Sequence, residues 1–186
     1  MKIQKLICLV LLVTGLSIHG FAQKPAPETN KPYQSAIGVR ISNSYYDFFS
    51  GTYKFFISEA GAIDIDAGFG VRSYYDGYVN GSVKPFTFAI SAAYQHHFEI
   101  PVKNGGLFWF IGGGLTGYRV FSSYGNFDGF GFGVFPTGGV EYKIPNIPLA
   151  VSADYRPTIF LTAPDHYDSF YGGNVGVTAR FTIGEK

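Results

Sequence analysis

Ile63-Asp64-Ile65-Asp66-Ala67-Gly68-Phe69-Gly70-Val71-Arg72 is the stretch that decides how this chain folds. Side chains alternate at every step: Ile63, Ile65, Phe69 and Val71 share one parity, Asp64, Asp66 and Arg72 the other. A period of two is the signature of a strand whose two faces meet different surroundings. The same alternation recurs in Ala36 to Ser42, Thr52 to Ser58 and Ala150 to Arg156, and in weaker form in Pro85 to Phe98, Leu107 to Val120, Gly131 to Ile144 and Tyr171 to Ile183. These make eight strands. No segment from Gln34 onward carries apolar residues at helical spacing.

The connections alternate in length. Tight turns are expected at Glu59-Ala60-Gly61, Pro101 to Gly106 and Pro145 to Pro148, and longer aromatic-rich loops at Asn43 to Ser50, Tyr74 to Ser82, Phe121 to Phe130 and Phe160 to Phe170. Short turns at one end and long loops at the other are what an up-and-down barrel of the outer-membrane type shows. Polarity then separates a membrane barrel from a soluble one with the same strand number. One parity collects Ile37, Val39, Ile41, Tyr53, Phe55, Ile57, Ile65, Phe69, Val177 and Phe181; the other collects Arg40, Lys54, Asp64, Asp66, Arg72, Glu141, Lys143, Asp154, Arg156 and Arg180. A barrel this narrow is filled by its inward side chains. Charges facing lipid cost about 2–4 kcal/mol each at the bilayer midplane, so the charged parity belongs inside and the bulky apolar one outside. The reading is an all-β, eight-stranded antiparallel up-and-down transmembrane β-barrel.

Composition agrees with this. The 186 residues have room for one domain, 18% are aromatic and 25 are glycine, which favours twisted β-structure. Only 15% are charged, with a net charge of +1, so there is no broad basic surface for nucleic acid and no acidic tail. Lys2 and Lys5 precede an apolar run from Leu6 to Ile18, and Gly20-Phe21-Ala22 supplies small residues at a cleavage position, so residues 1–22 read as a signal peptide. The run is shorter than the roughly 20 residues a transmembrane helix needs. Residues 23–33, with Pro25, Pro27 and Pro32, read as a periplasmic linker, and the barrel occupies 34–186. Cys8, the chain's one cysteine, leaves with the signal peptide, so no disulfide is expected in the mature chain.

Several stretches together resemble a known family: Gly38-Val39-Arg40, Gly51 to Glu59, Gly68 to Tyr74, Phe108-Trp109-Phe110-Ile111-Gly112-Gly113-Gly114, Gly139 to Ile144, Ile147 to Pro157 and Ala179-Arg180-Phe181. The chain is similar to the small outer-membrane β-barrel proteins widespread in Bacteroidota, related in architecture to the membrane domain of outer membrane protein A. The resemblance covers nearly all of the chain after the leader. It implies fold and location and transfers no activity. In two respects the chain is expected to depart from that pattern: it runs past Phe181 by Thr182 to Lys186, whereas such barrels usually end on or near an aromatic, and no C-terminal peptidoglycan-binding domain is expected.

The candidate site is the lumen charge network of Arg40, Lys54, Asp64, Asp66, Arg72, Glu141, Lys143, Asp154, Arg156 and Arg180. Buried charges must find partners, so paired plugging of the lumen is the expected role, with an ion- or proton-conducting path as the alternative. His96 and His97 are adjacent on a strand, point to opposite faces and cannot easily share a metal. Asp165-His166-Tyr167-Asp168-Ser169 has the ingredients of general-base chemistry, but in sequence order alone, and reads as a solvated loop. The aromatics of the long loops, from Tyr45, Tyr46, Phe48 and Phe49 to Phe160, Tyr167 and Phe170, read mainly as an interfacial girdle. No cofactor, metal or catalytic residue is expected. The partners expected are outer-membrane lipids, the barrel-insertion machinery and an extracellular ligand of the long loops, with no nucleic acid. A structural or surface-interaction role leads; a pore or lateral-diffusion route for apolar molecules and a lipid-modifying enzyme are the alternatives.

Overall fold

The structure, a computed structural model, describes residues 31–71, 74–76, 81–103, 106–122, 128–165 and 167–184. Among these there is no helix, and the strands close into an eight-stranded antiparallel barrel. Its elements are β1 Ser35–Ser42, β2 Phe49–Phe56, β3 Gly61–Val71, β4 Tyr74–Asp76, β5 Gly81–Val83, β6 Phe86–Glu99, β7 Leu107–Phe121, β8 Gly129–Lys143, β9 Leu149–Tyr155, β10 Thr158–Thr162, β11 Phe170–Tyr171 and β12 Val175–Ile183. The wall runs β1, β2, β3, β6, β7, β8, β9, β12 and returns to β1, where Ile37 pairs with Phe181. The short β10 continues the line of β9 and pairs with β8 and β11, so β9 with β10, and β11 with β12, each act as one interrupted stave.

Strand positions follow the alternation in the sequence, and the edges show where pairing overrides it. The expected strand Thr52 to Ser58 is displaced to Phe49–Phe56, because Phe49 pairs with Ile41 on one side and Phe69 on the other. The loop expected from Phe160 starts later, since Ile159 and Phe160 add to β8 opposite Val134 and Gly133. The loop expected over Tyr74 to Ser82 contains the hairpin of β4 and β5.

The wall is inverted relative to a soluble barrel. Arg40, Lys54, Asp64, Asp66, Glu141, Asp154, Arg156 and Arg180 are all buried, while Ile37, Ile65, Val71, Ile111, Leu115, Val177 and Phe181 are among the large apolar side chains exposed on the outside. On the outer surface next to the short turns, Phe98 stacks on Trp109 at a ring separation of 4.2 Å.

Closing so small a ring brings strands too near for a side chain at certain inward positions. A Cβ on Gly112 would strike the Tyr94 carbonyl oxygen of β6, and one on Gly38 would strike the Ala179 carbonyl of β12; both neighbours are backbone and cannot turn aside. Gly51, by contrast, has its nearest neighbour at 3.9 Å. Gly112→Ala is therefore expected to cost at least about 1–3 kcal/mol of stability through overpacking, and Gly51→Ala much less. Urea midpoints of the two purified variants provide the comparison.

Candidate functional site

Asp64 of β3 is the centre of the lumen. Its Oδ1 accepts from Thr52 Oγ1 at 3.0 Å and Arg180 Nη2 at 2.9 Å; its Oδ2 accepts from Arg180 Nη2 at 2.8 Å, Gln95 Nε2 at 3.1 Å and Arg156 Nη2 at 3.3 Å. One carboxylate thus ties β2, β6, β12 and the residue after β9 together across the interior. Inward parity delivers these groups: Asp64 stands two residues from Asp66 and Thr52 two from Lys54, and Arg180 shares its parity on β12 with the buried Thr178 and Thr182.

Toward the long loops, Arg156 donates to Asp66 through Nη1, and its Nε lies 2.9 Å from Asp154 Oδ1 at an angle that makes a Coulomb contact rather than a hydrogen bond. Arg40 grips Asp154 with two bonds, Nε to Oδ2 at 3.1 Å and Nη2 to Oδ1 at 2.7 Å. It also reaches Asp47 Oδ2 at 3.1 Å and Asn174 Oδ1 at 3.1 Å. Asn174 passes the chain on, donating to the Tyr46 hydroxyl at 2.9 Å, which leaves the Tyr46 hydrogen for Thr158 Oγ1 at 2.8 Å; Thr158 in turn donates to the Arg156 carbonyl. Burial raises the Tyr46 phenol above its ordinary range, so it remains a neutral donor in this chain.

Toward the short turns, Lys54 Nζ donates to Glu141 Oε2 at 2.6 Å and stands 5.0 Å over the Phe110 ring. The other oxygen of Glu141 accepts from Tyr33 at 2.7 Å. Tyr33, in the stretch read from sequence as linker, is buried inside the barrel with its ring edge-on to Phe56. Burial and the charge of Glu141 push its phenol well above the ordinary value. His97 lies inside between Phe56 and Phe110, and His96 lies on the outer face against Phe98, which is the opposed placement the adjacent pair requires. No group of three metal-ligating side chains occurs among the described residues.

Eight of the ten sequence-selected residues therefore meet in one network. Lys143 is buried next to the β8–β9 turn, where its ammonium holds the carbonyls of Ile144 and Ile147 at 2.9 and 2.7 Å. Arg72 lies outside the described residues, as does His166. Asp47, Asn174 and Tyr33 belong to the network but escape the parity rule, because none of them stands within a regular strand. Asp47 is set by a local turn: Ser42 Oγ donates to its carbonyl at 3.0 Å, and the Ser44 amide donates to Ser42 Oγ at 3.1 Å. A Ser-x-Ser pattern before an aspartate is a turn signal.

The long-loop end of the lumen is filled with rings. Tyr45, Tyr46, Phe160 and Tyr167, expected in an interfacial girdle, instead pack inward with Tyr118, Val120 and Ala89. Tyr46 stacks on Tyr118 at 5.6 Å, and Tyr45 meets Tyr167 at 5.4 Å. The reason is space: Gly131, and Gly133 on the same inward side of β8, leave room that Tyr118 and Phe160 occupy. Phe48, Phe49, Phe121, Phe130 and Phe170 are exposed. Tyr167, expected in a solvated loop, is thus buried against the barrel through its ring. Neither a protein-family model, nor a curated protein, nor a solved structure matches this chain.

Removing one member of a buried pair leaves its partner's charge uncompensated. Asp154→Leu is expected to cost about 3–5 kcal/mol, whereas Lys54→Met combined with Glu141→Leu costs less than either single change. Urea titration of the parent, Asp154→Leu, the two single variants of the pair and the double variant under one set of conditions tests this. Because the Tyr33 phenol is held neutral in the folded state, its contribution is complete below the unfolded value near pH 10 and is lost as pH rises beyond it. Alkaline stability should therefore fall less steeply in Tyr33→Phe than in the parent, even though the variant starts about 1.5–3 kcal/mol lower for loss of a hydrogen bond to a charged group.

Proposed function

We propose that the chain is an integral outer-membrane β-barrel, of the kind small Bacteroidota barrels represent, with a lumen closed by its own side chains and a structural or surface-interaction role. The observation that carries this reading is the inversion of polarity: side chains such as Ile37, Ile65, Ile111, Leu115 and Phe181 face outward while four buried cations, Arg40, Lys54, Arg156 and Arg180, face inward. An apolar surface wrapping the whole wall would drive a water-dissolved protein to aggregate, and is the surface that lipid requires. The plug supports a non-conducting role. From the Tyr33 and Phe56 pair at one end, through the ion pairs, to the tyrosine cluster at the other, the lumen is occupied by side chains. The exposed loop-end residues Phe48, Phe130 and Phe170 supply a surface for contact with lipid headgroups or an extracellular ligand.

A second reading, passage of small apolar molecules sideways through the wall, is favoured by a break between β8 and the β9–β10 stave, described below. An enzymatic role has no support from assembled groups among the described residues.

Membrane fractions provide the test. The unboiled protein should migrate as a compact species and shift on boiling, and the purified protein in planar bilayers should give no steady ohmic current. Recovery as a water-soluble protein without a heat shift would overturn the membrane placement, and steady single-channel steps would overturn the plug.

A further inference from the structure

Two prolines face each other across the barrel wall. β8 pairs with β9 as far as Gly138 opposite Tyr155 and with β10 from Val134 opposite Ile159, and between these points each strand advances by four residues, so the register is continuous and Pro136 stands opposite Pro157. The pairing itself is interrupted over this interval. The bond directions show why. The Arg156 amide donates to Asn174 and the Phe160 amide to Ser169, so even-numbered residues of this stave turn toward β11 and β12. The odd-numbered Pro157 therefore turns toward β8, at a position where two residues would exchange two N–H···O bonds. Neither proline has an N–H to give. Two carbonyl oxygens are left facing one another, and consecutive bonded positions along this seam are about 13 Å apart, four residues at the rise of an extended chain.

The outer wall below the break is apolar: beyond the Gly138–Tyr155 pair, where the β8–β9 ladder is intact, Leu107, Val140, Tyr142, Val151, Ala153 and Val177 line a shallow groove of about 230 Å³. Inside, Thr137 is buried with its Oγ1 unbonded among the described residues, and Phe135 lies buried beside the Arg156 guanidinium at 5.8 Å. A carbonyl exposed to hydrocarbon is costly, and the opposite strand supplies no donor here.

We propose that the Pro136/Pro157 seam is a lateral portal, at which a small uncharged molecule dissolved in the bilayer, with a flat apolar body and one N–H or O–H donor, binds between β8 and the β9–β10 stave. Its donor takes the place of the missing amide hydrogens, and its body lies in the wall between the two prolines and Phe135. The portal rests on the membrane placement proposed above.

The test uses the full-length chain with Cys8→Ser in sealed vesicles, carrying either Thr137→Cys beside the seam or Thr116→Cys, which faces the lumen behind the unbroken ladders of β6, β7 and β8. N-phenylmaleimide, which dissolves in the bilayer, should modify Thr137→Cys at least about tenfold faster than Thr116→Cys. A membrane-impermeant quaternary ammonium methanethiosulfonate should modify neither. Adding Pro136→Val and Pro157→Val, which restores both donors on an outward β-branched pair, should lower the Thr137→Cys rate to that of Thr116→Cys. Indole should slow modification of Thr137→Cys more than N-methylindole does. Equal rates at the two cysteines, a rate indifferent to the proline pair, or labelling by the charged reagent would each overturn the portal. Equal protection by the two indoles would overturn the donor-bearing ligand. The heat shift of each variant, read on the same vesicles, reports insertion independently, so a barrel that is inserted yet fails the labelling test counts against the portal alone.

Discussion

Everything in this molecule turns on Asp64 and the two arginines that converge on it. A carboxylate placed in the middle of a closed wall has no bulk water to solvate it, and its ionised form persists only because Arg180, Arg156, Thr52 and Gln95 surround it. Those partners come from different staves, so the need of one anion fixes the relative height of several strands. A slip of one residue in β12 would turn Arg180 outward, and one in β6 would turn Gln95 outward, each removing a partner of Asp64. The network is weak evidence for great stability, since well-packed apolar groups would fill the same volume without desolvation cost. What it supplies is register.

Much of this was legible in the sequence, and for one reason. A strand that separates two media writes its faces into every second residue, so Asp64 and Asp66, or Asp154 and Arg156, declare their side without knowledge of their partners. The failures have the same origin. Where the chain leaves the strand, parity says nothing: Asp47 enters the network through a turn built on Ser42, Asn174 from the break between β11 and β12, and Tyr33 from a stretch whose prolines suggested an extended linker. The tyrosines of the first long loop depart from the sequence expectation for a related reason. An aromatic near a barrel rim has two stable places, on the outer surface or over the lumen, and the choice depends on space left by glycines on a distant strand. Gly131 and Gly133 provide that space, and no local pattern around Tyr45 reveals it.

The proline pair lay beyond sequence reading in a different way. Pro136 within an otherwise continuous strand marks a break in a ladder, and Pro157 marks another. Only the register shows that the two breaks coincide, since a proline on one strand alone would remove one bond and leave the opposite residue to donate the other. Coincidence concentrates the loss of two bonds at one level of one seam.

The place of that loss is informative. Arg156 is the residue immediately before Pro157, and it is held from across the lumen by Asp64 and Asp66 of β3 as well as by its neighbour Asp154. The stave that lacks bonds along the wall is thus tied through the interior, by charge pairs that a low-dielectric surrounding strengthens. A seam with neither kind of tie would splay, and a seam with both would be shut. Here the interior ties hold Arg156 at its height while the two proline carbonyls face each other without a donor, so the charge network that crosses the lumen secures the stave at the level where its wall ladder is interrupted.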